Sequence, residues 1–104
     1  MIGLFDSGVG GLTVVRELER QLPSYDYCYL ADTARAPYGD RDPETIRQFV
    51  REDCQFLVRH GATMIVAASN TTTTHRASDI RDSISVPIVG TIAPQFVDVI
   101  RSAT

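Results

Sequence analysis

Five residues with useful chemistry stand just after two apolar runs: Asp6 and Ser7 after "IGLF", and Ser69, Asn70 and Thr71 after "TMIVAA". A carboxylate, hydroxyls and an amide in such positions suit a small, polar, charged ligand. The hydroxyls and the amide can hydrogen-bond a carboxylate and an ammonium group together. Asp6 supplies the negative charge that an ammonium group wants, and a phosphate would sit less well beside it. Taken alone, Ser69-Asn70-Thr71 is also what a helix N-terminus looks like. Its coincidence with Asp6 and Ser7 is what turns the reading toward a site for an amino acid.

The elements that would position these groups follow from the hydrophobic pattern. Four short runs, "IGLF" (2–5), "DYCYLA" (26–31), "TMIVAA" (63–68) and "PIVG" (87–90), are near-continuous rather than alternating, as in strands covered on both faces. Helical spacing lies between them. Leu12, Val15, Leu18 and Leu22 form one stripe, which Pro23 ends. Asp42 caps a second helix with Pro43 in its first turn, and Ile46, Phe49, Val50, Cys54 and Leu57 form its buried face, closed by His60 and Gly61. Arg47, Arg51, Glu52 and Asp53 read as its solvated face. A third helix is expected after Asn70, burying Thr73, Ala77, Ile80 and Ile84, and a fourth from about Pro94, with Val97 and Ile100 inward.

This βαβαβαβα order predicts an α/β fold: an open four-stranded parallel sheet with helices on both faces, right-handed crossovers and strand order 2-1-3-4. Ligands of such sheets bind beyond the carboxyl ends of the strands, where the strand order reverses. Asp6 and Ser7, then Asp32 and Thr33 with "ARAPYGD", then Ser69 to Thr71, then Thr91 would all arrive at that edge. Helix N-termini there offer free N–H groups to an anion. Tyr38 and Gly39 fit a turn as well as a site. Asp32 is read as a cap or turn residue and is left out of the site. The glycines of "GVGG" (8–11) match neither G-x-G-x-x-G nor the phosphate loop ending in Gly-Lys-Ser/Thr, so they read as a tight strand-to-helix turn.

Composition sets the outer limits. The chain has 104 residues, 43% hydrophobic and 22% charged, with a formal net charge of -3, which describes one soluble globular domain over residues 1–104. Its basic residues are scattered, so nucleic acid is not an expected partner. No run reaches membrane-spanning length, and no secretory leader is evident, so no membrane partner is expected. Cys28 and Cys54 read as buried, unpaired thiols, and no metal-ligand spacing is present.

Four stretches in order, "GLFDSGVGGLTVVREL", "LADTARAPYG", "SNT" after a buried strand and "VPIVGTIAP", resemble the N-terminal part of glutamate racemase, of the aspartate/glutamate racemase group. The resemblance runs from Ile2 to about Pro94. It implies an amino-acid racemase without a cofactor, built from two similar α/β domains, with one catalytic cysteine from each. One thiolate removes the α-proton while the other thiol delivers a proton to the opposite face. By matching position, Asp6, Ser7, Tyr38, Gly39, Asn70 and Thr71 would contact glutamate, and Asp6 would assist the proton transfer. The implied setting is cytoplasmic, in the supply of D-glutamate for peptidoglycan.

Two departures accompany the resemblance. The family reads Cys-Asn-Thr where this chain has Ser69-Asn70-Thr71, and the second domain with its cysteine is expected to be absent. A thiol, with a reference pKa of about 8.5, can ionise at neutral pH and act as a base toward carbon. A serine needs a neighbouring base, and His75, six residues on within the expected third helix, should not point back at it. The chain alone is therefore expected not to racemise glutamate. A non-catalytic amino-acid-binding module and a related aspartate racemase are the alternative readings. Apolar surface left uncovered would favour a homo-oligomer.

Overall fold

The computed structural model describes residues 1–6, 11–33, 42–68, 77, 79–91 and 96–103. Its four strands, β1 (Ile2–Asp6), β2 (Tyr27–Ala31), β3 (Met64–Ala67) and β4 (Ile88–Gly90), form one sheet in the order β2-β1-β3-β4. All three pairings are parallel. The expected strands are thus all present, within a residue or so at each end. The interior pair β1 and β3 is buried at every position, whereas edge strand β2 is half-buried throughout.

Residue alternation divides the core between two faces. On one, Ile2 and Leu4 of β1 and Met64 and Val66 of β3 pack with Val15, Leu18 and Leu22 of the first helical stripe and with Val97 and Ile100 of the last helix, Phe96–Ala103. On the other, Phe5, Ile65, Ala67 and Ile88 pack with Ile46, Val50, Cys54 and Leu57, and with Ala77 and Ile80. Handedness accounts for this partition. The step from β1 to β2 and the step from β2 to β3 run in opposite directions across the sheet, so right-handed crossovers put their helices on opposite faces. The step from β3 to β4 continues in the second direction, and its segment shares that second face.

Local chemistry fixes the helix ends. Helix α1 (Leu12–Gln21) stops where Pro23 follows, and the Tyr27 hydroxyl donates to the carbonyls of Leu22 (2.6 Å) and Leu18 (3.2 Å). Helix α2 (Pro43–Arg59) begins on Asp42, whose carboxylate accepts the Thr45 N–H at 2.9 Å and the Thr45 hydroxyl at 2.7 Å. That backbone bond, with the hydroxyl second, holds the Asp42 carboxyl below its usual range. At the other end Gly61 has φ of +96°, its N–H reaching Val58 O and the Ala62 N–H reaching Leu57 O, both at 3.0 Å. These are the two bonds of a Schellman cap, which needs a left-handed residue and so a glycine. The His60 ring nitrogen Nδ1 lies 2.8 Å from Phe56 O, at the carboxyl end where a helix benefits from it.

Several expectations are corrected. Leu12 is 44% exposed, because α1 begins there and its first turn has not yet reached the sheet. Asp53, read as solvated, is buried beside Cys54, since a 17-residue helix against a sheet buries a broader arc than the apolar stripe alone. Arg47 does take partners, Glu44 at 2.8 Å and Asp79 at 3.3 Å. Cys28 is half-buried rather than buried, because β2 is an edge; it and Cys54 are both free thiols. Ala77 and Ile80 are buried as expected, but Ile84 is extended and half-buried, the chain having tightened into a 3-10 turn at Arg81–Ser83 where the Ser83 hydroxyl takes Ile80 O. Thr73 and His75 lie outside the described residues. Among those described, no helix is long and apolar enough to cross a membrane.

Burial, with the charge of Asp53 second, pushes the Cys54 thiol up from 9.0 to about 12. The unfolded thiol ionises near 9.0 while the folded one keeps its proton, so this contribution to stability is complete below pH 9.0 and is lost as the pH rises through about 12. The expected outcome is a falling urea midpoint across that window, with Cys54 contributing up to about 1.4 kcal/mol per pH unit. Cys54→Ala should flatten the profile; an unchanged slope would mean that the thiol ionises as readily folded as unfolded.

Candidate functional site

Backbone hydrogen bonding lines up the four strand ends along one edge. The Asp32 N–H at the end of β2 donates to Asp6 O (2.8 Å), and the Ala68 N–H at the end of β3 donates to Phe5 O (3.0 Å). The Thr91 hydroxyl, just past β4, donates to Ala67 O at 3.2 Å. The rim therefore reads Asp32, Asp6, Ala68, Thr91 in spatial order, with the reversal of strand order at β1 and β3. Of the residues singled out for the site, Asp6 is described here; Ser7, Tyr38, Gly39, Ser69, Asn70 and Thr71 lie outside the described residues.

Asp6 is the final residue of β1 and only 5% exposed. A carboxylate so covered requires hydrogen-bond donors. Its Oδ2 accepts the Gly11 N–H at 2.5 Å and the Tyr29 hydroxyl at 3.3 Å. Gly11 is the residue on which α1 begins, and its carbonyl accepts from Val14 and Val15, so Asp6 meets the positive end of that helix. The period-two geometry of the sheet explains the Tyr29 contact: Leu4 pairs with Tyr29 in register, so Leu4, Asp6 and Tyr29 share the α1 face.

The fit around this carboxylate is close. A Cβ on Gly11 would stand 3.0 Å from Asp6 Oδ2, 3.0 Å from Tyr29 Cε1 and 3.1 Å from the Tyr29 hydroxyl. Glycine is needed at position 11 for closeness, not for an unusual backbone, since its φ of -68° is ordinary. Burial first, then the negative charge of Asp6 and the bond to it, push the Tyr29 phenol above its usual range. Tyr29 therefore keeps its proton at neutral pH and can donate it to the carboxylate.

In sequence, Tyr29 is one residue of the strand run "DYCYLA", with nothing local to mark it as a partner of Asp6. The signal was present in the alternation: Tyr25, Tyr27 and Tyr29 repeat at period two, and the last of them pairs with Leu4, two residues before Asp6 on the same face. Gly11 belongs to the expected strand-to-helix turn, and the structure adds a steric reason for its identity.

A parallel α/β sheet with a donor-bound carboxylate at the switch in its strand order has the layout that α/β domains use to hold small molecules. No family model matches the chain. Curated relatives do: it is 53% identical over 93 residues to the glutamate racemase of Listeria innocua, covering 89% of this chain and 35% of the relative. To the glutamate racemase of Oceanobacillus iheyensis it is 48% identical over 103 residues, covering 99% of the chain and 38% of the relative. Among solved structures, glutamate racemase from Thermus thermophilus in complex with β-chloro-D-alanine superposes with a TM-score of 0.80 at 45% identity, over 89% of this chain and 36% of that one. The Francisella tularensis enzyme in complex with D-glutamate gives 0.77 at 40% identity, over 86% and 34%. The chain is thus similar to the N-terminal part of these glutamate racemases, and it spans a little over a third of their length.

The spacing around Gly11 generates a direct test. Gly11→Ala is expected to destabilise the fold by about 1–3 kcal/mol, the range for overpacking a filled site. Urea unfolding of the two proteins measures it, and a variant as stable as the parent would show that the cradle yields freely.

Proposed function

We propose that this chain supplies the Asp6-bearing part of a glutamate racemase site, which interconverts L- and D-glutamate by proton transfer at the α-carbon. The observation that carries this reading is the buried Asp6 carboxylate, held by Gly11 and Tyr29 at the edge where the strand order reverses. Relatives about half identical over nearly the whole chain are glutamate racemases, which favours glutamate over aspartate as the substrate. In this reading Asp6, Ser7, Tyr38, Gly39, Asn70 and Thr71 face the amino acid, and a second domain contributes the opposite wall. The setting is the cytoplasm and the metabolic role is the supply of D-glutamate for peptidoglycan.

Ser69 governs the chemistry. It occupies the position where the resemblance places the first catalytic cysteine, and a hydroxyl is far too weak an acid to become a base toward carbon without an activator. The chain therefore binds glutamate without turning it over. This also defines the second reading, an amino-acid-binding module whose chemistry has been lost, and Ser69 is the observation that favours it.

Two measurements follow. In heavy water, the chain is expected to incorporate no solvent deuterium at the α-carbon of D- or L-glutamate, and uptake by the purified protein would overturn the assignment of Ser69 as inert. Ser69→Cys, combined with a racemase C-terminal domain, should raise turnover well above that of the serine form; equal rates would count against residue 69 as the proton-transfer position. Self-association is a third expectation. Leu12, Phe56 and Val99 are large apolar side chains exposed by 37–50%, and burying such surface favours a dimer. Light scattering across a concentration series should show mass rising above 11.5 kDa, and a constant monomer mass would dismiss the idea.

A further inference from the structure

Tyr27 and Tyr29 sit two residues apart on β2, both half-buried and both turned toward the α1 face. Their hydroxyls do different things. The Tyr27 hydroxyl donates to Leu22 O and Leu18 O and closes the end of α1, a purely structural task. The Tyr29 hydroxyl instead reaches Oδ2 of Asp6 at 3.3 Å, at the opposite end of the same helix. Gly11, by lacking a Cβ, makes room for that phenol, since an added carbon would meet both Tyr29 Cε1 and the hydroxyl.

We propose that Tyr29 is a positioning residue for Asp6. Its hydroxyl and the Gly11 N–H approach one carboxylate oxygen from two different elements, β2 and the start of α1. One donor alone leaves the carboxylate free to swing about that bond; two donors set the plane of the group and hence the direction in which its charge meets an amino acid. Tyr29 acts through Asp6 and does not itself touch the ligand. The role rests on the reading of Asp6 as a substrate contact, and it names a residue that neither composition nor motif had marked.

The test compares three forms of the chain, wild type, Tyr29→Phe and Tyr27→Phe, by calorimetric titration with D-glutamate. Loss of one positioning hydrogen bond should weaken D-glutamate binding by roughly 3- to 10-fold in Tyr29→Phe. Tyr27→Phe should lower the urea midpoint yet bind as the wild type does, because its hydroxyl serves α1. With tyrosines labelled at the ring carbon bearing oxygen, the wild-type Tyr29 signal should move when D-glutamate is added, and should not move in Asp6→Asn. If Tyr29→Phe binds as tightly as the wild type, the positioning role is wrong while the site reading stands. If Tyr27→Phe loses as much affinity as Tyr29→Phe, the effect is general loosening and the role is again wrong. A wild-type chain that fails to bind D-glutamate overturns the site reading and this role with it.

Discussion

A carboxylate cannot be buried at the end of a strand unless donors are already waiting for it, and that constraint organises this molecule around Asp6. The cost of leaving such a charge without partners is several kcal/mol, comparable with the whole stability of a domain this size. The Gly11 N–H answers it, and as the N-cap of α1 Gly11 brings with it the positive end of a helix. Meeting that requirement brings the N-cap of α1 against the end of β1, gives glycine a steric reason at position 11, and places a hydroxyl on the α1 face of β2. A local electrostatic demand thereby becomes a statement about three elements.

Topology determines where the demand is met. Two crossovers of opposite direction leave β1 between β2 and β3, so the end of β1 is flanked on both sides by strand ends, and the bonds from Asp32 and Ala68 tie them together. Helices then fall on alternate faces as handedness requires. Each side chain on the α1 face of β1 is spoken for: Ile2 and Leu4 enter the core, while Asp6, last in the strand, faces the helix start. Two residues back, Leu4 lies fully buried in the core with Val15, Leu18 and Val66, where a carboxylate would lose the N–H of the α1 start. Position along the strand, as much as residue type, makes it usable.

Much of this was legible in the sequence. The strand runs, their parallel pairing, the order 2-1-3-4 and the caps at Asp42 and Gly61 follow from near-continuous apolar runs, alternating element types and two punctuating residues. What escaped depends on contacts between distant elements. Tyr29 looks like a strand residue until register sets it beside Asp6. Asp53 sits one position outside the apolar stripe of α2, and a sequence pattern cannot tell a broad buried arc from a narrow one. Cys28 seemed as buried as its neighbours because an edge strand and a central strand have the same composition when both faces are covered by helices. Of the expected site, Asp6 could be followed into its surroundings, and those surroundings supplied Tyr29 and the steric reason for Gly11.

The groups that hold Asp6 are separable from the group that would carry the proton. Gly11 is the N-cap of α1 and Tyr29 belongs to β2, whereas residue 69 is the next in sequence after Ala68, which follows β3. Under the proposed function, serine in place of cysteine at position 69 would remove a proton acceptor, while both donors to Asp6 come from other stretches of the chain. Oxygen and sulfur at that position differ by several pKa units in acidity but little in size, so the change bears on reactivity far more than on shape. Under the proposed function, such a scaffold would keep its grip on an amino acid without the chemistry, because Asp6 and its two donors belong to β1, the start of α1 and β2.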